Sequence, residues 1–242
     1  MSQKPRLLVL FCCAGGSSKG YVDAGFEVVG VDIAKQPRYP FEFHQQDALS
    51  VEISKGWFGR VDAIHAAPPC QLHSHGTVSI DRSEYPDLIG PTREMLKVTG
   101  LPYIIENVKR APLIDPITLC GAAFGLTSKD DEGPLVLRRH RLFESNIPLT
   151  APECECRSYE RDGYKIAGCY GGARRTRYEA EQIRHGGYVP AKPILQELME
   201  IDWMSEWEMF QATPPIYTHH LGVQLMDLLA ILAKATPKEP AV

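Results

Sequence analysis

The chain has 242 residues, which suits one large domain or a domain with a small appendage, and 44% of them are hydrophobic. Its seven cysteines include the adjacent pair Cys12 and Cys13, and this odd count argues against the disulfide framework of a small secreted protein. No apolar run is expected to span a bilayer. We therefore expect a monomeric cytoplasmic protein with reduced thiols and no contact with a membrane.

The first half of the chain alternates strand-like and helix-like segments. Near-continuous apolar runs predict buried parallel strands, and a Gly/Ser-rich turn with a short helix to about Ala24 follows the first of them. Pro91 stands at the start of a second helix predicted at 92–98. This alternation predicts a Rossmann-like, doubly wound, mostly parallel α/β sheet, with ligands at the carboxyl ends of the strands. The predicted strands are Arg6–Phe11, Glu27–Ile33, Phe43–Gln46, Val61–Ala66 and Tyr103–Glu106.

The character of the sequence changes after about Ser145. Residues 146–200 are rich in Gly, Arg, Tyr and Cys and lack clear periodicity for most of their length, so we expect a small loop-rich region there. A final helix with one apolar face is predicted over about Ile216–Lys234. We assign residues 1–145 and 201–242 to one catalytic domain and residues 146–200 to a separate small region.

The net charge of −4 does not by itself indicate a nucleic-acid partner, but the charge is unevenly distributed. Residues 138–192 hold 11 Lys and Arg against 7 Asp and Glu, whereas the remainder holds 15 against 23. A basic segment on an acidic body can form an electrostatic footprint for phosphates. A solvated, arginine-rich surface loop has the same composition, so charge alone leaves both interpretations open.

The turn after the first strand has the features of a nucleotide site. A strand, a Gly-containing turn and a helix N-terminus together present backbone N–H groups to a ligand. Asp32, at the end of the second strand, can accept hydrogen bonds from ribose hydroxyls, and Asp47, at the end of the third, is placed to meet an adenine amino group. These ordered carboxylates favour nucleoside binding over the alternative that Gly15, Gly16 and Gly20 only permit tight packing.

Cys70 lies in the segment Ala66–Gln71 (AAPPCQ), directly after the fourth predicted strand. Two prolines stiffen this turn and fix the direction of the thiol at the ligand-binding edge of the sheet. A cysteine on such a loop can act as a nucleophile once it is a thiolate. A buried structural thiol is the usual fate of cysteine, and position alone does not decide between the two.

Several segments resemble, in order, the motif set of the DNA cytosine-5 methyltransferases. They are FCCAGGSSKGYVDAGFEVVGVDI, APPCQ, IIENV and RRHRLFES, and LCGAAFG and QATPPIYTHHLG are similar to two further motifs. The resemblance covers nearly the whole chain except about 145–200, and compact phage-encoded members are the most similar. It implies the class I S-adenosylmethionine-dependent methyltransferase fold, and a location in the cytoplasm of a bacterial host.

The resemblance also implies a covalent reaction at a flipped-out cytosine. Cys70 would add to C6 so that C5 can accept a methyl group, and Glu106 would engage N3 and the exocyclic amine, which a raised pKa would help. Arg139 and Arg141 match a pair of family arginines. Because alternate residues of a strand point the same way, both guanidiniums are expected to face the base carbonyl and a nearby phosphate. A solvated basic strand is the alternative for the arginines, and a turn or helix cap is the alternative for Glu106.

S-adenosylmethionine is the implied cofactor, and four positions depart from the family pattern. Cys13 replaces a usual Gly, Asp32 a usual Glu, Leu137 a usual Gln, and Gln211 an Asn near the methionine moiety. None of these departures removes a catalytic group. The implied cofactor-binding residues are Phe11, Ala14, Gly15, Gly16, Asp32, Ile33, Asp47, Ala48, Pro69 and Gln211.

Two regions are expected to contact double-stranded DNA that contains the target cytosine. The loop Leu72–Tyr85, with His73 and His75, would close over the flipped base. Region 146–200 would supply phosphate and base-edge contacts. The candidates there are Arg157, Arg161, Lys165, Arg174, Arg175 and Arg177, with Tyr159, Tyr164, Tyr170 and Tyr178.

Cys154 and Cys156, with Cys169 and His185, would offer a zinc ligand set, but the Cys-x-Cys spacing is tighter than usual and we assign no metal. Two alternative functions stay open. One is an RNA (tRNA) cytosine-5 methyltransferase on the same scaffold. The other is a DNA-binding regulator without turnover, against which the intact Cys70 and Glu106 argue.

Overall fold

Strands and helices alternate through the part of the chain that the computed structural model describes, residues 4–51, 60–74, 85–171 and 188–235. Short 3-10 turns occupy Ala48–Ser50 and Gly121–Phe124. The strands are β1 (Arg6–Leu10), β2 (Glu27–Asp32), β3 (Glu42–Gln45), β4 (Ala63–Ala66), β5 (Tyr103–Asn107), β6 (Ile117–Leu119), β7 (Thr127–Asp130), β8 (Gly133–Leu137), β9 (Arg141–Ser145) and β10 (Lys165–Ala167). The helices are α1 (Gly16–Asp23), α2 (Ile89–Thr99), α3 (Cys156–Arg161), α4 (Lys192–Met199), α5 (Glu206–Gln211) and α6 (Pro215–Ala235).

A seven-stranded sheet in the order β3-β2-β1-β4-β5-β9-β6 forms the centre of the fold. Strands β1 to β5 run parallel, whereas β9 is antiparallel to both β5 and β6. The strand order reverses direction between β1 and β4, which is where open α/β sheets bind ligands at their carboxyl ends. The predicted Rossmann-like, doubly wound and mostly parallel sheet is confirmed.

Hydrophobic cores cover both faces of this sheet, which is why its central strands are largely apolar. Successive side chains of a strand point to opposite faces. Leu7 and Val9 of β1 therefore pack in the core that includes α1 and α6, and Leu8 and Leu10 pack in the core that includes Leu96 of α2. These four residues of β1 are fully buried.

Helices α1 and α6 pack at unusually short range. A Cβ atom on Gly20 would overlap the carbonyl oxygen of Pro215 and the hydroxyl of Thr218. The Thr218 hydroxyl donates a hydrogen bond to the carbonyl of Ser17 at 2.8 Å, so the close approach is also a polar contact. For Gly20, the alternative of tight packing is thus the one that the structure supports.

Residues Pro215–Lys234 of α6 are long and apolar enough to cross a membrane by length and composition alone, contrary to our expectation from the sequence. Tyr217, Leu221 and Leu225 in the first half of the helix are buried in the core, whereas Ile231 and Leu232 in the second half are exposed. The buried half belongs to the core of the fold, which explains much of its apolar composition.

A second, three-stranded sheet in the order β10-β8-β7 joins region 146–200 to the chain before it. Strand β10 pairs in parallel with β8, and β8 forms an antiparallel hairpin with β7. Region 146–200 also contains α3 and α4, so its described part is more regular than the loop-rich region we predicted. Helix α2 begins at Ile89 rather than at 92, and Pro91 lies within its first turn, where the missing N–H of proline costs no helical hydrogen bond.

Candidate functional site

A cavity of about 210 Å³ lies at the carboxyl ends of the parallel strands, where the fold predicts a ligand site. The turn after β1, the loop after β4, the end of β5 and the segment after α5 contribute its walls. The residues predicted from the sequence that line it are Phe11, Gly16, Asp32, Ile33, Pro69, Cys70, Glu106, Arg141 and Gln211.

The other predicted cofactor residues do not line this cavity. Ala14 and Gly15 shape the adjoining turn, where the indole N–H of Trp203 donates to the carbonyl of Ala14 at 2.9 Å and Gly15 is left-handed, with φ of 91°. Asp47 is exposed, and its carboxylate caps the 3-10 turn by accepting from the Leu49 N–H at 3.0 Å. Ala48 is buried in the core.

The turn between β1 and α1 is strained, and Asp32 holds it. Phe11 and Cys13 have φ values of 55° and 46°, a left-handed conformation that costs free energy for any residue with a side chain and that glycine adopts freely. One carboxylate oxygen of Asp32 accepts from the Cys13 N–H at 3.0 Å, and the other accepts from the Ala34 N–H at 2.9 Å. Cys13 stands where the resembled motif has Gly, and it adopts the left-handed conformation that glycine adopts freely, at a cost in strain.

Hydrogen bonds with β1 and β5 fix the backbone of the Cys70 loop. The Ala67 N–H donates to the carbonyl of Leu10 at 3.2 Å, and the side-chain amide of Asn107 donates to the carbonyl of Pro68 at 2.9 Å. Asn107 is buried at the end of β5, next to Glu106. We did not predict Asn107 as a site residue, although it stands within the IIENV segment of the resemblance.

Glu106 is buried, and one of its carboxylate oxygens lacks a hydrogen bond from the described residues. The Nε of Arg141 lies 3.0 Å from Oε1 of Glu106, which makes an ion pair, but no donor is aligned on that oxygen. Burial raises the pKa of Glu106, and this effect outweighs the lowering by Arg141, Arg139 and Thr213. The cavity thus contains a carboxyl group that favours its protonated form more than an exposed glutamate does.

Cys70 is half-buried in the same cavity. Burial raises the pKa of its thiol, and the charge of Glu106 raises it further, while Arg141 and Arg139 lower it. The protonation states of Cys70 and Glu106 are therefore linked, because a negative charge on either disfavours a negative charge on the other.

Arg139 does not line the cavity, and the prediction that both arginines face a substrate is wrong for this residue. Its guanidinium donates to the carbonyl oxygens of Cys169, of Phe210 at 2.8 Å and of Ala212 at 2.9 Å. Strand β9 begins only at Arg141, so Arg139 lies in the connection from β8, where strand alternation does not apply. Burial lowers the pKa of Arg139 to about 10. The Arg139 side chain therefore fixes the backbone at the end of α5, which forms one wall of the cavity.

Some cavity residues were missed by the sequence analysis. All but Phe210 lie within the segments that carry the resemblance, which was their signal, although the sequence analysis assigned them no binding or catalytic role. These residues are Cys12, Cys13, Ser17, Ala67, Pro68, Gln71, Val108, Phe210, Ala212 and Thr213.

The predicted DNA-contacting residues have mixed outcomes. Arg157 and Arg161 line a shallow surface depression on α3 together with Glu160, and their contact with DNA stays a prediction. Tyr159 and Tyr164 instead pack edge to face, 4.9 Å between ring centroids, in a small core. Residues 75–84 of the proposed lid, with His75, and the candidates Arg174, Arg175, Arg177, Tyr178 and His185 lie outside the described residues.

No protein-family model matches this sequence, and no curated protein matches it either. Solved structures do match. A protein assigned as a DNA modification methyltransferase, encoded within a prophage of E. coli, aligns with a TM-score of 0.59 at 15% identity, over 94% of this chain and 100% of its own.

Two eukaryotic proteins align in the same way. A mutant of DNMT2 from Spodoptera frugiperda gives a TM-score of 0.51 at 13% identity, over 95% of this chain and 100% of its own. The methyltransferase EhMeth from Entamoeba histolytica gives 0.53 at 12% identity, over 94% and 99%. At such identities the likeness establishes the fold alone, and this chain has the class I methyltransferase fold of these proteins.

Proposed function

We propose that this protein is an S-adenosylmethionine-dependent DNA cytosine-5 methyltransferase that uses Cys70 as its nucleophile. The observation that carries the proposal is the presence of the Cys70 thiol and the buried Glu106 carboxyl in one cavity, at the ligand-binding edge of a methyltransferase fold. A thiol that attacks a cytosine ring and a carboxyl that can protonate the same ring are the two groups this reaction needs.

The mouth of the cavity suits S-adenosylmethionine. Asp32 places a carboxylate at the end of β2, where it can accept hydrogen bonds from ribose hydroxyls. Ile33 lines the same mouth although 70% of its surface is exposed, and it offers an apolar face to an adenine ring. When bound, S-adenosylmethionine supplies the methyl group that C5 of cytosine accepts.

The residues of the chain carry out the rest of the reaction. The Cys70 thiolate adds to C6, and the electron pair of the C5–C6 bond becomes available at C5. Protonated Glu106 donates to N3, which would otherwise take up negative charge. After methylation a base removes the C5 proton, the C5–C6 double bond forms again, and the Cys70 thiolate leaves.

The raised pKa of Glu106 favours both the protonation of cytosine N3 and the ionisation of the Cys70 thiol. Protonation of Glu106 provides the donor for N3, and it removes the negative charge that raises the pKa of Cys70. Arg141 lowers the pKa of the thiol from the same side of the cavity. A protonated Glu106 and a Cys70 thiolate therefore form a compatible pair.

Methyl transfer and adduct formation test the nucleophile and the substrate together. The protein is incubated with S-adenosylmethionine labelled in its methyl group and with duplex DNA of varied sequence, with tRNA in parallel. We expect label at C5 of cytosine in DNA and none with Cys70→Ser. Label only in tRNA would favour the RNA enzyme, and tight DNA binding without label would favour the regulator.

Duplexes that carry 5-fluorocytosine provide a direct readout of the Cys70 bond. A base cannot remove fluorine as it removes a proton, so the covalent adduct should accumulate and be visible as a protein–DNA band. Peptide mass spectrometry should locate the bond at Cys70. A trapped adduct on another residue, or full activity of Cys70→Ser, would contradict the assignment.

The cofactor site has its own test. Asp32→Ala should weaken the binding of S-adenosylmethionine by about tenfold or more, because a hydrogen bond to a charged group contributes roughly 1.5–3 kcal/mol. Isothermal titration calorimetry measures this affinity. Lys19→Ala, on the exposed side of α1 where the lysine pairs with Asp23, is the matched control and should bind normally. Equal affinities for the Asp32→Ala variant and the parent protein would place the ribose elsewhere.

A further inference from the structure

Four side chains of types that bind soft metal ions lie close together, and none of them lines the cavity. Cys120, His140, Cys154 and Cys156 each present one ligand atom, and these atoms all lie within 4.8 Å of one another. The sulfur atoms of Cys120 and Cys156 are 3.4 Å apart, and Nε2 of His140 is 3.3 Å from the sulfur of Cys154. These two pairs are 36 and 14 residues apart in the sequence, so the fold assembles the cluster.

The spacing of the ligand atoms suits a tetrahedral ion. A zinc ion about 2.3 Å from each sulfur and about 2.0–2.1 Å from nitrogen holds its ligand atoms roughly 3.5–3.8 Å apart. The ligand atoms in the cluster lie between 3.3 Å and 4.8 Å from one another, so shifts of a few tenths of an ångström to about one ångström would complete a tetrahedron. A disulfide would use only two of the four residues and would leave His140 without a role.

Among the described residues, the cluster packs in a small hydrophobic core that is separate from the large core of the fold. Cys120 and Cys156 are buried with Ala122 and Val136 in a small core of their own. The elements around it are short, since α3 has six residues and β10 has three. Small units of this kind bury too little apolar surface to be stable alone, and structural metals are a common remedy.

We propose that Cys120, His140, Cys154 and Cys156 bind one Zn²⁺ ion in a structural site. Three thiolates and one imidazole form a ligand set that selects zinc over harder cations such as Mg²⁺ and Ca²⁺. Four protein ligands fill the tetrahedron and leave no position for a substrate, so the ion has a structural role rather than a catalytic one.

This cluster differs from the zinc set considered in the sequence. Cys154 and Cys156 belong to both sets, but Cys120 and His140 complete the cluster in the fold. The thiol of Cys169 instead donates to the carbonyl of Met209 at 3.4 Å, beside the segment that Arg139 holds. Cys169 is buried and outside the cluster, and it provides a matched control for the cysteine ligands.

The proposed ion also has a consequence for the candidate active site. His140 stands between Arg139, which holds the wall after α5, and Arg141, which pairs with Glu106. An ion bound through His140 would fix the backbone from which both arginines project. This consequence rests on the proposed function, whereas the metal site itself does not.

The metal content of the purified protein tests the site without any assay of methyl transfer. The protein is produced in zinc-supplemented medium, kept reduced, and analysed by plasma mass spectrometry. We expect one zinc per chain, lost in Cys154→Ser and Cys156→Ser and kept in Cys169→Ser. His140→Cys should retain zinc, because it replaces one ligand by another. Cys154 is exposed, so Cys154→Ser should fold even if the buried variant does not.

Cobalt gives an independent readout. Protein in which zinc is exchanged for Co²⁺ should show the intense visible bands of tetrahedral thiolate coordination, and Cys154→Ser should lose them. The proposal is overturned if the parent protein contains no more zinc than Cys154→Ser, if Cys169→Ser loses as much zinc as Cys156→Ser, or if native protein carries a Cys120–Cys156 disulfide. None of these outcomes bears on whether Cys70 is the nucleophile.

Discussion

The guanidinium of Arg141 lies 3.0 Å from a buried oxygen of Glu106 on which no donor among the described residues is aligned. Both groups line the cavity that contains Cys70. Burial has the largest effect on the Cys70 thiol and raises its pKa, and the two charges then act in opposite directions, Glu106 raising the pKa and Arg141 lowering it. Neutralising one charge at a time should therefore change the reactivity of the thiol in opposite directions.

Glu106→Gln should move the alkylation of Cys70 to lower pH, because it removes a negative charge that raises the pKa of the thiol. Arg141→Gln should move it to higher pH, because it removes a positive charge that lowers that pKa. The measurement is the rate of iodoacetamide labelling of the Cys70 peptide as a function of pH, with glutathione as an internal standard. Profiles that move in the same direction for both variants would contradict this electrostatic account.

Asn107→Ala should slow methyl transfer while leaving cofactor affinity nearly unchanged. The amide of Asn107 donates to the Pro68 carbonyl and ties the Cys70 loop to β5, so its loss should loosen the direction of the thiol. Misplacement of a reacting group by about 1 Å can cost on the order of a hundredfold in rate. Single-turnover kinetics measures the rate, and calorimetry the affinity. An unchanged rate would show that the loop is held by other contacts.

Arg93→Leu should destabilise the protein by about 2–3 kcal/mol, because it leaves the buried charge of Glu144 without its partner. Two hydrogen bonds of 2.6 and 2.7 Å join Arg93 of α2 to Glu144 of β9, and Glu144 also accepts from the Ile114 N–H at 2.8 Å. Urea unfolding measures the loss. Arg93→Leu combined with Glu144→Gln should lose less stability than the two single changes added together. An additive result would rule out this coupling.

His65 should make the protein less stable in mild acid. It is fully buried on β4 next to the Tyr21 hydroxyl, and burial lowers its pKa to about 3. Below its unfolded pKa of about 6.5 the unfolded chain binds a proton that the folded chain does not, so stability falls as pH decreases from there towards 3. The contribution of His65 to this slope should approach about 1.4 kcal/mol per pH unit.

His65→Gln should remove this contribution and can still bond to Tyr21. The free energy of unfolding in urea, measured for both proteins between about pH 7 and pH 5, should therefore fall less steeply for the variant. Equal slopes would mean that His65 is protonated in the folded protein.

The central sheet could be predicted because β1, β2, β4 and β5 are apolar runs that helices cover on both faces. The later strands could not, because they are short and their partners are set by packing. Strand β10, for example, has three residues and finds β8 about 30 residues earlier. The same limit applies to Arg139, whose side chain was assigned a direction by strand alternation although β9 begins two residues later.

The candidate site shows a similar division. Cys70 and Glu106 follow strand ends that are visible in the sequence, so their meeting at one sheet edge could be inferred. The cluster of Cys120 and His140 with Cys154 and Cys156 could not, because the pairing of β6 with β9, in which Leu119 faces Arg141, brings Cys120 to His140, and packing of the later segment adds Cys154 and Cys156. Two further contacts join residues that are far apart in the sequence and belong to different motifs. Thr213 bonds to Glu106, and Asn107 donates to the Cys70 loop.

The packing of α1 on α6 affects the order in which the protein can be completed during synthesis. The hydroxyl of Thr218 bonds to the carbonyl of Ser17, 201 residues earlier. The turn after β1, which would bind the cofactor, therefore lacks one of its supports until the ribosome has released α6. Nascent chains should remain protease-sensitive near α1 until then, because Tyr21 and Phe26 belong to the core that α6 completes.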